Sequence, residues 1–360
     1  MAVASREGKE RLVLLSSDDG GDTFGEPAVG TPPAPAGAWH GENAPQLLFV
    51  GQGSLYAAWE AATGDHVDVL FARSEGFGGP LEKPARVTDS DPLAVIYSGY
   101  PSVVRAPDGS IYAAWLDWRD SSNAETAAVY LARSTDDGRT FGRNTRVASG
   151  VCPCCRPAVA ALPSGEVVVV WRNVYAGNVR DMAAAASSDF GRSFRGPFRV
   201  AVDDWKIDGC PDSGAAVARV GSRLFVAWMT EGSPSHAGIR LTWSDDGGQT
   251  FAAPIVASGS VPDANYPVMA ATPEGRVLLA FEGRERRVAG DWGRRRPFLV
   301  EIQANGNRSR PLAVPVPEEA PPTVRPVVAS GSLGRIFIAW TEHWPGGTEV
   351  ALIRGRRGEP

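Results

Sequence analysis

Hydrophobic positions in this chain fall in short alternating runs, and the runs come in pairs at a fixed interval. In Arg156 to Asn173, RPAVAALPSGEVVVVWRN, a proline leads an apolar run, Pro163-Ser164-Gly165 makes a turn, and a second run ends at Trp171. Equivalent pairs are Ala44 to Glu60, Tyr100 to Asp117, Cys210 to Glu231, Tyr266 to Glu282 and Arg325 to Glu342. Their leading prolines, Pro45, Pro101, Pro157, Pro211, Pro267 and Pro326, stand 56, 56, 54, 56 and 59 residues apart. A period of this length marks a repeat architecture. Alternation rich in Val, Ala and Ile reads as strand rather than helix, and proline is tolerated where a strand begins.

A third run follows each pair, at 66–74, 127–134, 180–188, 238–244, 296–303 and 348–355. A fourth follows in several units, as in Pro84-Ala-Arg-Val87, Asn144-Thr-Arg-Val147 and Pro197-Phe-Arg-Val200. Four antiparallel strands repeated six times predict an all-β, six-bladed β-propeller, one domain over 1–360. The segment 11–30 reads as third strand, loop and fourth strand and is expected to complete the last blade, although 348–355 offers a competing third strand.

A second motif joins third and fourth strands: Ser17-x-Asp19-x-Gly21-x-Thr23-Phe24, Ser134-x-Asp136-x-Gly138-x-Thr140-Phe141, Ser187-x-Asp189-x-Gly191-x-Ser193-Phe194 and Ser244-x-Asp246-x-Gly248-x-Thr250-Phe251. Asp and Ser/Thr side chains can bond the loop backbone, and Gly permits positive φ, so the motif is a hairpin lock. It resembles the Asp-box (BNR) repeat of the sialidase superfamily, in phase with the blades over nearly the whole chain. The resemblance implies the propeller fold; Asp boxes are structural and bring no activity. Cys152 to Arg156, Trp171-Arg-Asn173, Arg180-Asp-Met182 and Trp205 to Pro211 are further similar to stretches of bacterial sialidase-like proteins with a Cys-Pro-Cys-Cys motif, again without an activity.

Strand topology puts the residue before each proline and the residues after each closing aromatic on one rim. These are Ala44, Tyr100, Arg156, Cys210, Tyr266 and Arg325, with Glu60, Asp117, Arg172, Glu231, Glu282 and Glu342 beside them. All four cysteines belong to loops of that rim, Cys152, Cys154 and Cys155 before the third blade and Cys210 before the fourth. Three chemistries fit them: two disulfides, a thiolate site for Cu(I) or Zn(II), or a thiol activated by Arg156. His40, His66, His236 and His343 are assigned to the same rim.

The sialidase resemblance implies three arginines for a carboxylate, a tyrosine nucleophile assisted by Glu, and an Asp acid/base. The family's first arginine is missing, because Asn43-Ala44-Pro45 stands in its place. Arg156, Arg325 and Arg172 are the substitute candidates, with Tyr266 or Tyr100 as nucleophile and Asp117 or Glu282 for proton transfer. The leading expectation is a propeller binding a ligand or soft metal at the Cys/Arg rim. The alternatives are an exo-acting glycoside hydrolase of sialidase type acting on anionic glycans, and a protein-interaction scaffold.

Charge and composition trim this picture. A net charge of −5 gives no footprint for nucleic acid. The basic run from Arg284 to Arg296 could attract an anionic substrate, but such a run is more often simply solvated, and that is the expectation. No apolar run reaches membrane-span length. Residues 1–7 lack the basic and apolar regions of a signal peptide. A monomeric mature form acting outside the cytoplasm is expected, with a cytosolic protein as the alternative.

Overall fold

The computed structural model describes residues 2–6, 9–26, 28–29, 43–50, 54–74, 76, 79–121, 126–232, 237–288, 291–321 and 323–357. His40 and His236 lie outside them. The architecture is a six-bladed β-propeller. Among the described residues, blades 1 to 5 are four-stranded meanders whose spatial order follows the chain, and blade 6 has three strands. Blade 1 comprises Gln46–Val50, Ser54–Thr63, His66–Ser74 and Ala85–Arg86. Blade 2 comprises Ser98–Arg105, Ile111–Asp117, Ala127–Ser134 and Thr145–Val151. Blade 3 comprises Ala158–Ala161, Val167–Arg172, Met182–Ser187 and Arg195–Arg199. Blade 4 comprises Ala216–Val220, Arg223–Thr230, Gly238–Ser244 and Ile255–Val256. Blade 5 comprises Asn265–Ala271, Val277–Val288, Asp291–Ile302 and Leu312–Ala313. Blade 6 comprises Thr323–Ser330, Arg335–Trp344 and Gly347–Arg356. Strands are lettered a to d in that order.

The chain divides into two compact units, 1–171 with 185–195, and 172–184 with 196–360. The segment expected to close blade 6 pairs within the first unit: Lys9–Leu14 lies between Ala2–Arg6 and Ala28–Val29 in a sheet of its own. Among the described residues no helix is long and apolar enough to cross a membrane.

The b strands carry the core. All seven residues of Ile111–Asp117 are buried, so this strand is covered on both faces and reads as a continuous apolar run rather than a half-polar alternation. In the first unit Trp115 and Ile111 of blade 2 share a cluster with Tyr56 and Phe71 of blade 1. In the second, Phe225 of blade 4 shares one with Phe281 and Val300 of blade 5.

The Ser-x-Asp-x-Gly loops form the expected locks. Ser134 Oγ donates to Asp136 Oδ1 at 2.8 Å, the Gly138 N–H donates to Ser134 Oγ at 2.9 Å, and Thr140 Oγ1 donates to Asp136 Oδ2 at 2.6 Å. The loops at Asp19, Asp189 and Asp246 repeat the network. Hydroxyl donation from Ser193 and Ser187, joined by the Ser193 N–H, brings Asp189 down to about 2. The loops also reach the preceding blade. Asp137 accepts from Tyr56 Oη and, at 2.7 Å, from Arg73 Nη1 of blade 1. Gly138, at φ 79°, leaves no room for a Cβ, which would meet the Phe71 ring 2.2 Å away.

Three of the rim positions sit on β-bulges. The a–b register skips at Tyr100-Pro101, Tyr266-Pro267 and Arg325-Pro326. Tyr100, Tyr266 and Arg325 have φ of 58°, 52° and 53°. A residue before proline favours extended backbone, and a non-glycine residue at positive φ costs about 1–3 kcal/mol. Buried acceptors hold two of them there. The Tyr100 N–H donates to Glu60 Oε1 at 2.7 Å, and the Arg325 N–H to Glu282 Oε2 at 2.9 Å. The third, the Tyr266 N–H, turns to the Asn265 side chain at 2.7 Å. A bulge re-aims its side chain out of the pleat's alternation.

Two outcomes are expected. Gly138→Ala combines positive φ with a clash on Phe71, whereas Gly150→Ala, at φ 70° with no atom within 4 Å of its added Cβ, carries only the first. Both should lower the thermal midpoint, Gly138→Ala by the greater amount, in differential scanning calorimetry; equal shifts would remove Phe71 from the account. Burial raises the Glu60 pKa against the Tyr100 and Tyr97 hydrogen bonds, the Arg156 charge and the Asn43 amide. A raised folded-state value favours the fold at low pH, and that contribution is lost as pH climbs through it. The stability of the native protein relative to Glu60→Gln should therefore fall as pH rises above about 4. Denaturant melts at several pH values measure this, and a difference that is flat or grows would contradict the assignment.

Candidate functional site

In the first unit the rim is built by the loop between blades 2 and 3 and by Glu60. Thr145–Val151 ends in a left-handed Gly150, φ 70°, and the chain turns through Pro153 and Cys154. The turn gathers Cys152, Cys154 and Cys155. Cys152 and Cys155 are buried thiols, and Cys154 is disulfide-bonded. Arg156 follows, half-buried, with Nη2 donating to the Ala44 carbonyl at 2.6 Å. Glu60 is buried and accepts from Tyr97 Oη at 2.9 Å and Asn43 Nδ2 at 3.2 Å. The chain passes so close that a Cβ on Gly99 would fall 2.5 Å from Glu60 Oε1. Tyr100 is buried.

Asp117 and Arg172 are rim residues by sequence and interior residues by structure. Asp117 is fully buried and accepts from Trp115 Nε1 at 2.8 Å, Ser98 Oγ at 3.0 Å and the Arg119 guanidinium at 2.8 and 2.9 Å. Arg172, 1% exposed, donates to the carbonyls of Ser213, Arg180 and Met229 at 2.8–3.2 Å and lies over the Trp205 ring. A guanidinium donating to several carbonyls in this way ties loops together.

The second unit carries a denser constellation. Arg325 Nη2 donates to Asp212 Oδ2 at 2.6 Å and to Tyr266 Oη at 3.4 Å. Its guanidinium carbon lies 4.2 Å from the centre of the Tyr266 ring, a cation–π stack. Beneath it Glu282 is fully buried and accepts from Arg295 Nη1 as well as from the Arg325 backbone. Burial raises the Glu282 pKa, opposed by the Arg325 N–H and by Arg295. A cleft of about 550 Å³ adjoins the group, lined by Glu231, Asp263, Asn265 and Arg295 among others. Cys210, two residues before Asp212, is exposed and disulfide-bonded.

Of the sequence-derived set, Tyr266, Glu282 and Arg325 come together here. Asp212 and Arg295 join them without having been singled out. Asp212 follows Pro211 and carried no signal of its own. Arg295 lay in the basic run expected to be solvated, which the structure corrects. Strands b and c of blade 5 extend into a long hairpin, where Arg284 pairs with Asp263 at 2.6 Å, Arg295 with Glu282, and Arg296 with Glu285 at 3.4 Å. Among the other predicted rim residues, Glu342 accepts the indole N–H groups of Trp340 and Trp344. His66 is buried between the Ala94 carbonyl and Asp68, and His343 meets the Thr348 hydroxyl.

No protein-family profile and no curated protein sequence matches the chain. Solved structures do resemble it. A protein of unknown function from Dyadobacter fermentans aligns with a TM-score of 0.62 at 16% identity, over 87% of this chain and 94% of its own. A lectin from Burkholderia pseudomallei aligns at 0.64 and 12% identity, over 96% and 89%. A Hadza microbial sialidase aligns at 0.55 and 16% identity, over 89% and 70%. These likenesses show the fold alone, a β-propeller of the kind found in the sialidase and in the lectin.

Proposed function

We propose that this protein is a glycan-directed propeller that binds a carboxylated sugar at the rim formed by Arg325, Tyr266, Asp212 and Glu282. The observation that carries the reading is the stacking of the Arg325 guanidinium on the Tyr266 ring while Asp212 grips one end of it. Guanidinium is the side chain suited to bidentate carboxylate recognition, and one fixed in place before binding loses less entropy on engagement. The adjoining cleft supplies amide, carboxylate and guanidinium groups for sugar hydroxyls. The lectin and sialidase likenesses support a carbohydrate ligand. Disulfide-bonded Cys154 and Cys210 fit an oxidising compartment, hence a place outside the cytoplasm.

Glycoside hydrolysis of the sialidase type is a second reading, favoured by the Tyr266 hydroxyl beside Arg325. Asn43-Ala44-Pro45 in place of the family's first arginine favours binding over turnover.

A glycan array followed by calorimetric titration tests both. Sialylated or uronate-bearing glycans should bind and their neutral counterparts should not. Arg325→Lys keeps the charge but loses the fork, and should weaken binding by about tenfold or more. Equal binding of neutral glycans, or an unaffected Arg325→Lys, would overturn the assignment. Release of fluorophore from a fluorogenic sialoside or uronide, lost in Tyr266→Phe, would select the hydrolase.

A further inference from the structure

The turn after Gly150 brings three sulfur atoms together inside the first unit. Cys152 Sγ lies 3.5 Å from Cys155 Sγ and 3.9 Å from Cys154 Sγ, and the last two are 3.8 Å apart. Cys152 and Cys155 are 0% and 1% exposed. Packing alone gives a buried thiol no reason to meet two other sulfurs in preference to carbon. A cation with metal–sulfur bonds of about 2.3 Å does: it sets its thiolates about 3.8 Å apart in a tetrahedron and about 4.0 Å apart in a trigonal plane. Two edges of the observed triangle, 3.8 and 3.9 Å, have that length and the third, 3.5 Å, falls about 0.3 Å short of it; one short turn supplies all three corners. Arg156, next in sequence, places positive charge beside groups that would be anionic.

We propose that the reduced Cys152–Cys154–Cys155 turn is a binding site for a soft d10 cation, Cu(I) or Zn(II), gated by the disulfide at Cys154. Thiolates select these ions over hard ones. In the disulfide state Cys154 is no thiolate, and the turn offers two ligands. A dithiol reductant delivers two electrons and two protons to the bond. Cys154 and its bonded sulfur become thiols, and the reductant becomes a disulfide. Each thiol that then ligates gives its proton to solvent, and the three sulfurs close on the ion. This site is independent of the carbohydrate reading, since none of its ligands belongs to the Arg325 constellation.

The test uses the full chain in two states, as disulfide and after reduction by a dithiol removed under anaerobic conditions. A thiol count on denatured protein defines each state. Both are titrated with Cu(I) against a chromogenic Cu(I) chelator and with Zn(II) against a chromogenic zinc chelator. The reduced form should take close to one equivalent of one of these ions. The disulfide form and reduced Cys155→Ser should each bind at least about 100-fold more weakly. X-ray absorption on the loaded native chain, which needs no variant to fold, should show sulfur neighbours at about 2.3 Å. Failure of the reduced chain to compete for either ion, equal affinity in the two states, or coordination by nitrogen and oxygen alone would overturn the proposal. The arm that binds identifies the ion.

Discussion

No blade of this protein can bury its own faces, and that constraint governs the rest. A strand such as Ile111–Asp117, buried along its whole length, needs cover on both sides, and the sheet it belongs to supplies only its edges. The neighbouring blade is the cover. Hence the shared clusters of Tyr56 with Trp115 and of Phe225 with Phe281, and hence loops that stitch across blades. Asp137 of blade 2 reaches Tyr56 and Arg73 of blade 1, and the Arg133 guanidinium of blade 2 lies over the Phe190 ring of the next loop, 4.6 Å from its centre. Each such contact contributes on the order of 1 kcal/mol. Repetition, rather than any one contact, makes the array stable.

A polar residue one or two places after the closing aromatic shows how the end of a b strand serves more than one purpose. Glu60 and Glu282 turn toward the next blade and hold a strained backbone N–H. Asp117 and Glu342, two places after their aromatic and so on its face of the strand, turn back onto the indole, at 2.8 Å in each case. Arg172, one place after Trp171 as Glu60 and Glu282 are after theirs, donates to carbonyls instead. The repeat therefore brings a polar group to the end of the b strand, and its exact place there and the loops packed around it decide what that group does.

That division explains what could be read from the sequence. Fold, blade count and the Ser-x-Asp-x-Gly locks follow from periodicity and local turn chemistry, which are properties of neighbours along the chain. The partnership of Tyr266, Glu282 and Arg325 was half visible, because the period put them on one rim. Asp212 and Arg295 were not, since what selects them is the approach of loops far apart in sequence. Asp117 and Arg172 had the right rim address, but their side chains point inward to hydrogen-bond partners that periodicity does not reveal. The pairing of Lys9–Leu14 with Ala2–Arg6 depends on a competition between two possible third strands, which pattern alone leaves undecided.

The left-handed residue before proline has a consequence for how such a protein can change. Along an ordinary strand, every substitution is judged by the face of the pleat it lands on. At the three bulges the backbone is held from behind, by Glu60, Glu282 or Asn265, and the side chain is released from that judgement. The same slot holds tyrosine at 100 and 266 and arginine at 325, all at nearly one φ. Chemistry at the rim can thus be exchanged while the scaffold beneath keeps its form, so that the blades act as a rack and the bulge residues as interchangeable tools.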